Sequence, residues 1–206
     1  MYVYAHFDAC ICGIQYVLKA ATTIQEEAYG DVNVEVECFH ANTGVNTLSG
    51  GSYYGKTLVY SDMKHILIRI SSKSAASKLR SGEDNAILVS AHVDTVFAAE
   101  GAGDDTSNVA VMLELARGLS KQASGFKNSV IFLFNTGEEE GLNGAHSFVT
   151  QHPWINTVRV AVDLEAIGLG GKSGIFQVYT LLRSLLPTKS EIPSLSSHKI
   201  VEGGIN

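Results

Sequence analysis

The sequence has little cysteine and little charge. Its 206 residues include only three cysteines, Cys10, Cys12 and Cys38. An odd number excludes a fully paired disulfide framework, and Cys10-x-Cys12 without a second pair does not make a zinc knuckle. Charged residues make up 17% of the chain, whereas 45% are hydrophobic. A chain with this much apolar material can bury a core, so disorder along its whole length is excluded.

Membrane, secretory and nucleic-acid signals are also missing. No predominantly apolar stretch reaches the roughly 18 residues that a membrane-spanning helix needs. The N-terminal segment, residues 1–20, contains Asp8 and lacks the basic start of a signal peptide, and no Asn-x-Ser/Thr glycosylation acceptor is present. The net charge of −6 argues against nucleic-acid binding, which requires a basic face. We therefore expect a soluble segment without nucleic-acid or membrane contacts.

The spacing of apolar residues predicts an α/β domain. The continuous apolar runs at residues 86–91 and 130–134 are typical of strands covered on both faces. Residues 42–56 are rich in glycine and are predicted to form a loop. Further strands are predicted at 32–38, 65–70 and 158–164, and helices at 11–29, 107–121 and 144–150. Strands that alternate with helices in this way predict a mixed, largely parallel sheet flanked by helices.

The composition changes after Gln177. Two of the three prolines, Pro187 and Pro193, lie in this part of the chain together with several serines. We therefore expect one α/β domain over residues 1–177, followed by a divergent, loosely ordered tail over residues 178–206.

Side chains that bind metals follow three of the predicted strands, at the point where each strand ends. Because ligand sites in open α/β sheets lie beyond the carboxyl ends of the strands, we expect these side chains to meet at one edge. The candidates are His92, Asp94, Asp104, Asp105, Glu138, Glu139, Glu140, Asp163 and Glu165. Carboxylates gathered closely raise one another's pKa values, and a divalent cation relieves the repulsion. One imidazole with several carboxylates suits zinc or another borderline cation.

Each motif alone has a simpler explanation. His92-x-Asp94 could be a hydrogen-bonded pair, and Asp104-Asp105 could cap the helix that follows it. The glutamates at 138–140 could form a solvated turn, and Asp163-x-Glu165 could lie on the surface. The four motifs together are more specific, because all of them fall at strand or loop ends within one α/β stretch.

These motifs resemble a known family. The sequence contains His92-x-Asp94, Gly101-Ala-Gly-Asp-Asp-Thr-Ser-Asn108, Glu138-Glu-x-Gly-x-x-Gly144 and Asp163-Leu-Glu-Ala-Ile-Gly168. In order and spacing they resemble the M28 (aminopeptidase Y-type) zinc metallopeptidases. The flanking residues resemble the endoplasmic reticulum metallopeptidase 1-like branch, in particular its plant members. The resemblance is strong over residues 87–177, looser over 14–72, and does not extend into the tail.

Position by position, the resemblance implies roles for most of the candidates. Glu138 is implied to be the general base, and Asp94 the carboxylate that orients His92. Asp105 is implied to support its loop, and Asp163 is a second choice to its neighbour Glu165. The implied zinc ligands are His92, Asp104, Glu139 and Glu165, with Asp104 bridging two zinc ions. The resemblance therefore implies a zinc exopeptidase-like fold and a zinc-dependent exopeptidase, of aminopeptidase type, acting on peptides.

The family pattern also includes one more histidine ligand downstream. His146 and His152 match no ligand position and are expected to be surface or packing residues, and His198 lies in the dissimilar tail. We therefore expect one complete site, formed by His92, Asp104 and Glu165, and a chain that lacks the C-terminal strands of the family fold.

Two alternatives to an active peptidase stay open, the first because of the missing ligand and the unusual tail, the second because the same site chemistry would serve another amide. One is a non-catalytic, peptidase-like fragment, and the other is a metal-dependent amidohydrolase acting on a non-peptide amide. The resembling proteins are anchored in the membrane of the endoplasmic reticulum or a related compartment, with spans outside the peptidase domain. This implies the same location for the protein.

Overall fold

A seven-stranded mixed sheet forms the centre of the described part of the chain. It is seen in a computed structural model that describes residues 7–48, 54–75, 84–165, 176–180 and 200–201. The strands are β1 (Val32–Ala41), β2 (Gly44–Thr47), β3 (Thr57–Tyr60), β4 (Met63–Ser72), β5 (Ala86–His92), β6 (Val130–Asn135), β7 (Val158–Asp163), β8 (Phe176–Thr180) and β9 (Ile200–Val201). The α-helices are α1 (Phe7–Glu26), α2 (Ser107–Gln122) and α3 (Asn143–Gln151).

The order of the strands in the sheet is β1-β4-β6-β5-β7-β8-β9, and β2 pairs with β3 in a separate hairpin. β5 pairs in parallel with both β6 and β7, whereas the neighbours on either side of these three are antiparallel. The predicted α/β class is therefore confirmed, with a mixed sheet whose parallel part is its centre. This parallel part matters for function, because it brings three carboxyl ends to one edge.

The core has two layers because side chains alternate across each strand. Ile66, Ile68 and Ile70 of β4 face α1 and α2, whose apolar faces include Val17 and Met112. On the opposite face of the sheet, side chains of β4, β5 and β6 pack against Phe148 of α3 and Val158 at the start of β7. These side chains are Leu67, Leu88, Ile131 and Leu133. Both faces of the central strands are covered, which explains why their sequences are continuous apolar runs rather than alternating ones.

The boundaries of the elements differ from the predictions in several places. α1 begins at Phe7 and ends at Glu26, earlier than predicted at both ends. The predicted loop at 42–56 contains β2. The sequence did not reveal this strand because it has only four residues, two of them exposed, and therefore no apolar run. β8 spans the predicted boundary between residues 177 and 178 and pairs with β7, and Ile200–Val201 pairs with β8. Most of the tail lies outside the described residues, so its separate character stays a prediction.

Membrane-spanning helices were looked for among the described residues. None of the described helices combines the length and the apolar character that crossing a membrane requires.

Candidate metal centre

The centre lies at the carboxyl edge of the three parallel strands. β5 ends at His92, which is paired in register with Asn135, the last residue of β6. Ser90 of β5 is paired with Asp163, the last residue of β7. The loops that leave these strands therefore start side by side, and they carry the glutamates at 138–140 and Glu165. Parallel pairing is what brings residues distant in sequence to one place.

His92 is the middle of the cluster and is 1% exposed. Its Nδ1 lies 2.8 Å from the main-chain carbonyl oxygen of Asp94. A carbonyl can only accept, so Nδ1 carries the proton and donates it. Nε2 then faces three carboxylates, at 3.0 Å from Asp104 Oδ1, 3.6 Å from Glu165 Oε1 and 3.9 Å from Glu138 Oε2. A histidine whose other nitrogen is held by a carbonyl is oriented as metal-binding histidines are.

The charge around His92 shows how strongly this site favours a cation. Burial is the largest single influence and lowers the pKa of the imidazole. The nearby Glu165 carboxylate and the charges of Asp94, Glu138 and Asp105 outweigh it, and together they raise the pKa of His92 to about 10. The same carboxylates that would hold a proton on Nε2 can instead hold a metal ion there.

The Asp94 side chain contacts the glutamate loop, and its expected role in orienting His92 stays a prediction. The carboxylate Oδ1 lies 3.7 Å from His92 Nδ1, and the short hydrogen bond goes to the main-chain carbonyl instead. Asp94 Oδ2 accepts a hydrogen bond from the main-chain N–H of Glu139 at 3.1 Å. Asp94 Oδ1 is buried and has no hydrogen-bond partner. The side chain therefore ties β5 to the glutamate loop, and the main-chain carbonyl accepts from the imidazole.

The adjacent aspartates before α2 have separate environments. The Asp104 side chain is 52% exposed and reaches His92 Nε2. Asp105 is buried; one of its oxygens accepts from the main-chain N–H of His92 at 3.1 Å, and the other accepts from the Asn108 side-chain amide. Burial raises the pKa of Asp105 to about 7, although both hydrogen bonds oppose this. These contacts fit the expected supporting role of Asp105.

The two glutamates follow β6 in a tight turn between Gly137 and Gly141, which both have positive φ (78° and 103°). Glu138 is half-buried, and burial is the main reason that its pKa is raised to about 7, with His92 opposing and the neighbouring acids adding to the shift. Burial also raises the pKa of Glu139, and the charge of Asp104 adds to it. Glu139 Oε1 accepts from the main-chain N–H of Val96 at 3.0 Å.

Two compact groups of potential ligand atoms share His92. One contains His92, Asp105 and Glu165, and the other contains His92, Glu138 and Glu139, with all ligand atoms of a group within 4.8 Å of one another. Asp104 is close to His92 Nε2 but is part of neither group. One imidazole with several carboxylates forms a donor set that fits zinc.

The remaining predicted candidates surround the centre or lie away from it. Asp163 accepts a hydrogen bond from the Ser90 hydroxyl, and burial raises its pKa. Glu140 is exposed and part of neither ligand group. His146 bonds the Tyr60 hydroxyl, and His152 is buried beside Phe148, so both histidines make packing contacts. His198 lies outside the described residues.

Sequence reasoning missed the segment that follows Asp94. A pocket of about 230 Å³ opens beside Asp104 and Glu139. Its other lining residues are small or apolar: Thr95, Val96, Ala99, Gly101, Ala102 and Gly103. The contribution of Val96 to Glu139 is a main-chain N–H, which every residue except proline offers, so no side-chain signal could have revealed it.

The family model described as "Peptidase family M28" matches residues 75–195. The chain belongs to peptidase family M28. Endoplasmic reticulum metallopeptidase 1 of Mus musculus is 32% identical over 169 residues, which are 81% of this chain and 18% of that protein. A vacuolar membrane protease of Yarrowia lipolytica is 32% identical over 187 residues, 89% of this chain and 18% of that protein. The resemblance to the endoplasmic reticulum metallopeptidase 1 branch is thus confirmed, while its narrower assignment to plant members stays a prediction.

A solved structure shows the same fold. The LapA aminopeptidase of Legionella pneumophila superposes with a TM-score of 0.55 at 21% identity, covering 77% of this chain and 37% of that chain. The likeness supports the arrangement of the sheet and helices described above. The chain spans about a fifth or less of the length of the curated relatives that it matches.

Proposed function

We propose that the protein is a zinc-dependent peptidase whose centre lies at the carboxyl edge of β5, β6 and β7. The observation that carries this proposal is the position of His92 Nε2, which faces three carboxylates while Nδ1 is held by a carbonyl. Membership of peptidase family M28 gives the reaction class, and the donor set favours zinc.

The ligands divide into two unequal sets. His92, Asp104 and Glu165 form the first, with the half-exposed Asp104 carboxylate preferred over Asp105, whose oxygens are both hydrogen-bonded. Glu139, with Asp104 shared, forms the second. Zinc held by these residues would supply Lewis acidity to polarise a peptide carbonyl and to lower the pKa of water. The first set contains the one imidazole found in this cluster among the described residues, so we expect it to bind one equivalent tightly.

Glu138 is the proposed general base. Its half-buried position raises its pKa to about 7, close to the value at which a carboxylate both accepts and returns a proton near neutral pH. It takes the proton of the attacking water and gives it to the leaving amine. Glu139 is turned towards the Val96 amide, so the two neighbouring glutamates are free to have separate roles.

The substrate class and location follow from the relatives. The name of the LapA aminopeptidase suggests removal of N-terminal residues, and the pocket beside Asp104 and Glu139 lies where part of a peptide could bind. The matched relatives are named for the endoplasmic reticulum and the vacuolar membrane. We therefore propose an aminopeptidase that acts on peptides in an endomembrane compartment.

The test is the variant Glu138→Gln, which keeps the shape of the side chain and removes the base. Glu140→Gln is the matched control, because Glu140 is exposed and outside both ligand groups of the described residues. We expect Glu138→Gln to retain zinc and to lower kcat on an aminoacyl p-nitroanilide by about 100-fold or more, the range for a lost general base. Zinc at background in the wild-type protein, or unchanged kcat in Glu138→Gln, would overturn the proposal.

A second candidate is a non-catalytic, peptidase-like domain that binds metal. It is favoured by the single imidazole of the described cluster, because one complete site leaves the second set without a histidine. One bound equivalent of zinc without hydrolysis of any peptide or p-nitroanilide identifies this alternative.

A further inference from the structure

We propose that the hairpin of β2 and β3 is a positioning element for the glutamate loop (residues 137–141), and that Asn46 is the residue that clamps it. The inference rests on the proposed function, because the loop matters as the carrier of Glu138 and Glu139. The hairpin lies outside the main sheet and precedes residues 75–195, which the family model matches.

The Asn46 side chain connects the hairpin to the loop directly. It is 6% exposed, and its Nδ2 donates to the main-chain carbonyl of Gly141 at 2.9 Å and to Asn143 Oδ1 at 3.2 Å. These partners are 95 and 97 residues away in the sequence. A buried amide that donates both of its hydrogen bonds to one segment holds that segment in place, because breaking these bonds leaves buried polar groups unpaired.

The bonded part of the loop leads straight to the proposed base. The main-chain N–H groups of Gly141 and Leu142 donate to the carbonyl oxygen of Glu138, at 2.8 and 2.7 Å. Asn143 in turn donates its main-chain N–H to the carbonyl of Gly137 and its side-chain amide to that of Glu140. Asn46 therefore bonds the last residue of the turn, Gly141, and Glu138 lies near the start of the same turn.

Apolar contacts from the same hairpin support the turn. A Cβ placed on Gly141 would lie 2.7 Å from Leu58 Cδ1 and 2.8 Å from Leu48 Cδ1. The two leucines thus pack against Gly141 where another residue would have its Cβ. The φ of 103° at Gly141 is also a conformation that favours glycine. Polar and apolar contacts from the hairpin converge on one residue of the loop.

The hairpin is itself anchored to α3, the helix that follows the loop. The Tyr60 hydroxyl lies 2.8 Å from His146 Nδ1 and accepts from Gln151 Nε2 at 3.3 Å. Gln151 Oε1 also accepts from the main-chain N–H of Asn42 at 2.8 Å. A clamp fixed at both ends can hold Glu138 and Glu139 in place beside His92.

The experiment compares Asn46→Ala with the matched control Thr47→Val in the purified protein. The Thr47 hydroxyl pairs across the hairpin with that of Thr57 at 3.2 Å, is exposed, and makes no described contact with the glutamate loop. The readouts are the Kd for zinc from competition with a chelator, amide hydrogen exchange at residues 141–142, Tm, and kcat and KM. Leu58→Ala is the second variant, because it removes the apolar support without removing a hydrogen bond.

We expect Asn46→Ala to lower kcat about tenfold, the lower end of the effect seen for residues behind metal ligands, and to leave the Kd of the tight zinc equivalent unchanged, because none of its proposed ligands lies on the glutamate loop. Amide exchange at Gly141 and Leu142 should accelerate, and kcat should fall while KM stays within about twofold, because positioning of the base rather than peptide binding is lost. Thr47→Val should leave zinc Kd and kcat unchanged even where it lowers Tm.

The proposal is overturned if Asn46→Ala lowers Tm but leaves kcat and loop exchange at wild-type values, since Asn46 is then only structural. If Asn46→Ala does not fold, the same readouts in Leu58→Ala decide. If the wild-type protein binds zinc without hydrolysing any substrate, the proposed function fails, while amide exchange at Gly141 and Leu142 still tests the clamp. If it binds no zinc, exchange at Gly141 and Leu142 alone decides whether the hairpin holds the loop.

Discussion

At the scale of single residues, the described core contains a histidine that is held neutral. His65 is buried, its Nδ1 accepts from the main-chain N–H of Thr136 at 3.2 Å, and its Nε2 lies 2.8 Å from the Ser147 hydroxyl. The Ser147 hydroxyl donates onwards to the carbonyl of Gly144. Because Nδ1 faces a donor, only the neutral ring satisfies this chain. Burial, and then the charge of nearby His152, lower the pKa of His65 to about 4.

This histidine predicts a pH-dependent stability. Its pKa rises from about 4 in the folded protein to the ordinary 6.5 on unfolding, so unfolding takes up a proton between these values. The free energy of unfolding should fall as pH drops from 6.5 to 4, by on the order of 3 kcal/mol from this group. In urea titrations, His65→Gln should be less stable than wild type at pH 7, with the deficit narrowing towards pH 4. A deficit that is independent of pH contradicts this assignment.

A buried ion pair predicts a larger effect. Arg69 Nη2 lies 2.7 Å from Asp84 Oδ2, and Ser129 also donates to the Asp84 carboxylate. Removing the acid leaves the buried guanidinium unpaired, so Asp84→Ala should lower the free energy of unfolding by about 3–5 kcal/mol. The exposed pair of Arg117 and Glu114 is the control, and Glu114→Ala should cost about 1 kcal/mol or less. Equal costs in urea unfolding would show that burial of the first pair has no consequence.

At the scale of elements, two helical glycines should respond in opposite ways. A Cβ on Gly144, in the first turn of α3, would meet the main-chain oxygen of Thr136 and lie 2.7 Å from Asn135 Oδ1. Gly144→Ala should therefore lower the free energy of unfolding by about 1–3 kcal/mol. Gly118, inside α2, has open space, so Gly118→Ala should raise it by about 0.5–1 kcal/mol. Thermal unfolding measures both, and a stabilised Gly144→Ala would contradict the close packing of α3 on the end of β6.

The sequence predicted the elements whose signal is local. Apolar runs predicted β5 and β6, and the metal-binding side chains that follow the strands predicted where the cluster lies. Both signals are patterns within a few consecutive residues, which a sequence shows directly. The hairpin was missed because β2 is short and largely exposed. The clamp at Asn46 was also missed, since a buried asparagine 95 residues from its partner has no local signature. The donation from His92 to the carbonyl of Asp94 rather than to its carboxylate depends on the turn after β5.

At the scale of the whole molecule, the acid excess has a structural meaning. The net charge of −6 includes several carboxylates concentrated around one imidazole at the edge of the parallel strands. A bound cation offsets their repulsion and binds only the folded arrangement, so it should stabilise the fold by mass action. Removal of zinc with a chelator is therefore expected to lower Tm, and added zinc to restore it. A Tm unaffected by chelator and zinc would show that the carboxylates need no cation.

The most direct measurement of the central claim is a zinc titration of the purified protein against a competing chelator. The wild-type protein should bind one tight equivalent, His92→Gln should lose it, and His146→Gln should retain it, because His146 bonds Tyr60 away from the centre. Zinc binding at background in the wild-type protein, or binding by His92→Gln equal to wild type, would contradict a metal centre built on His92.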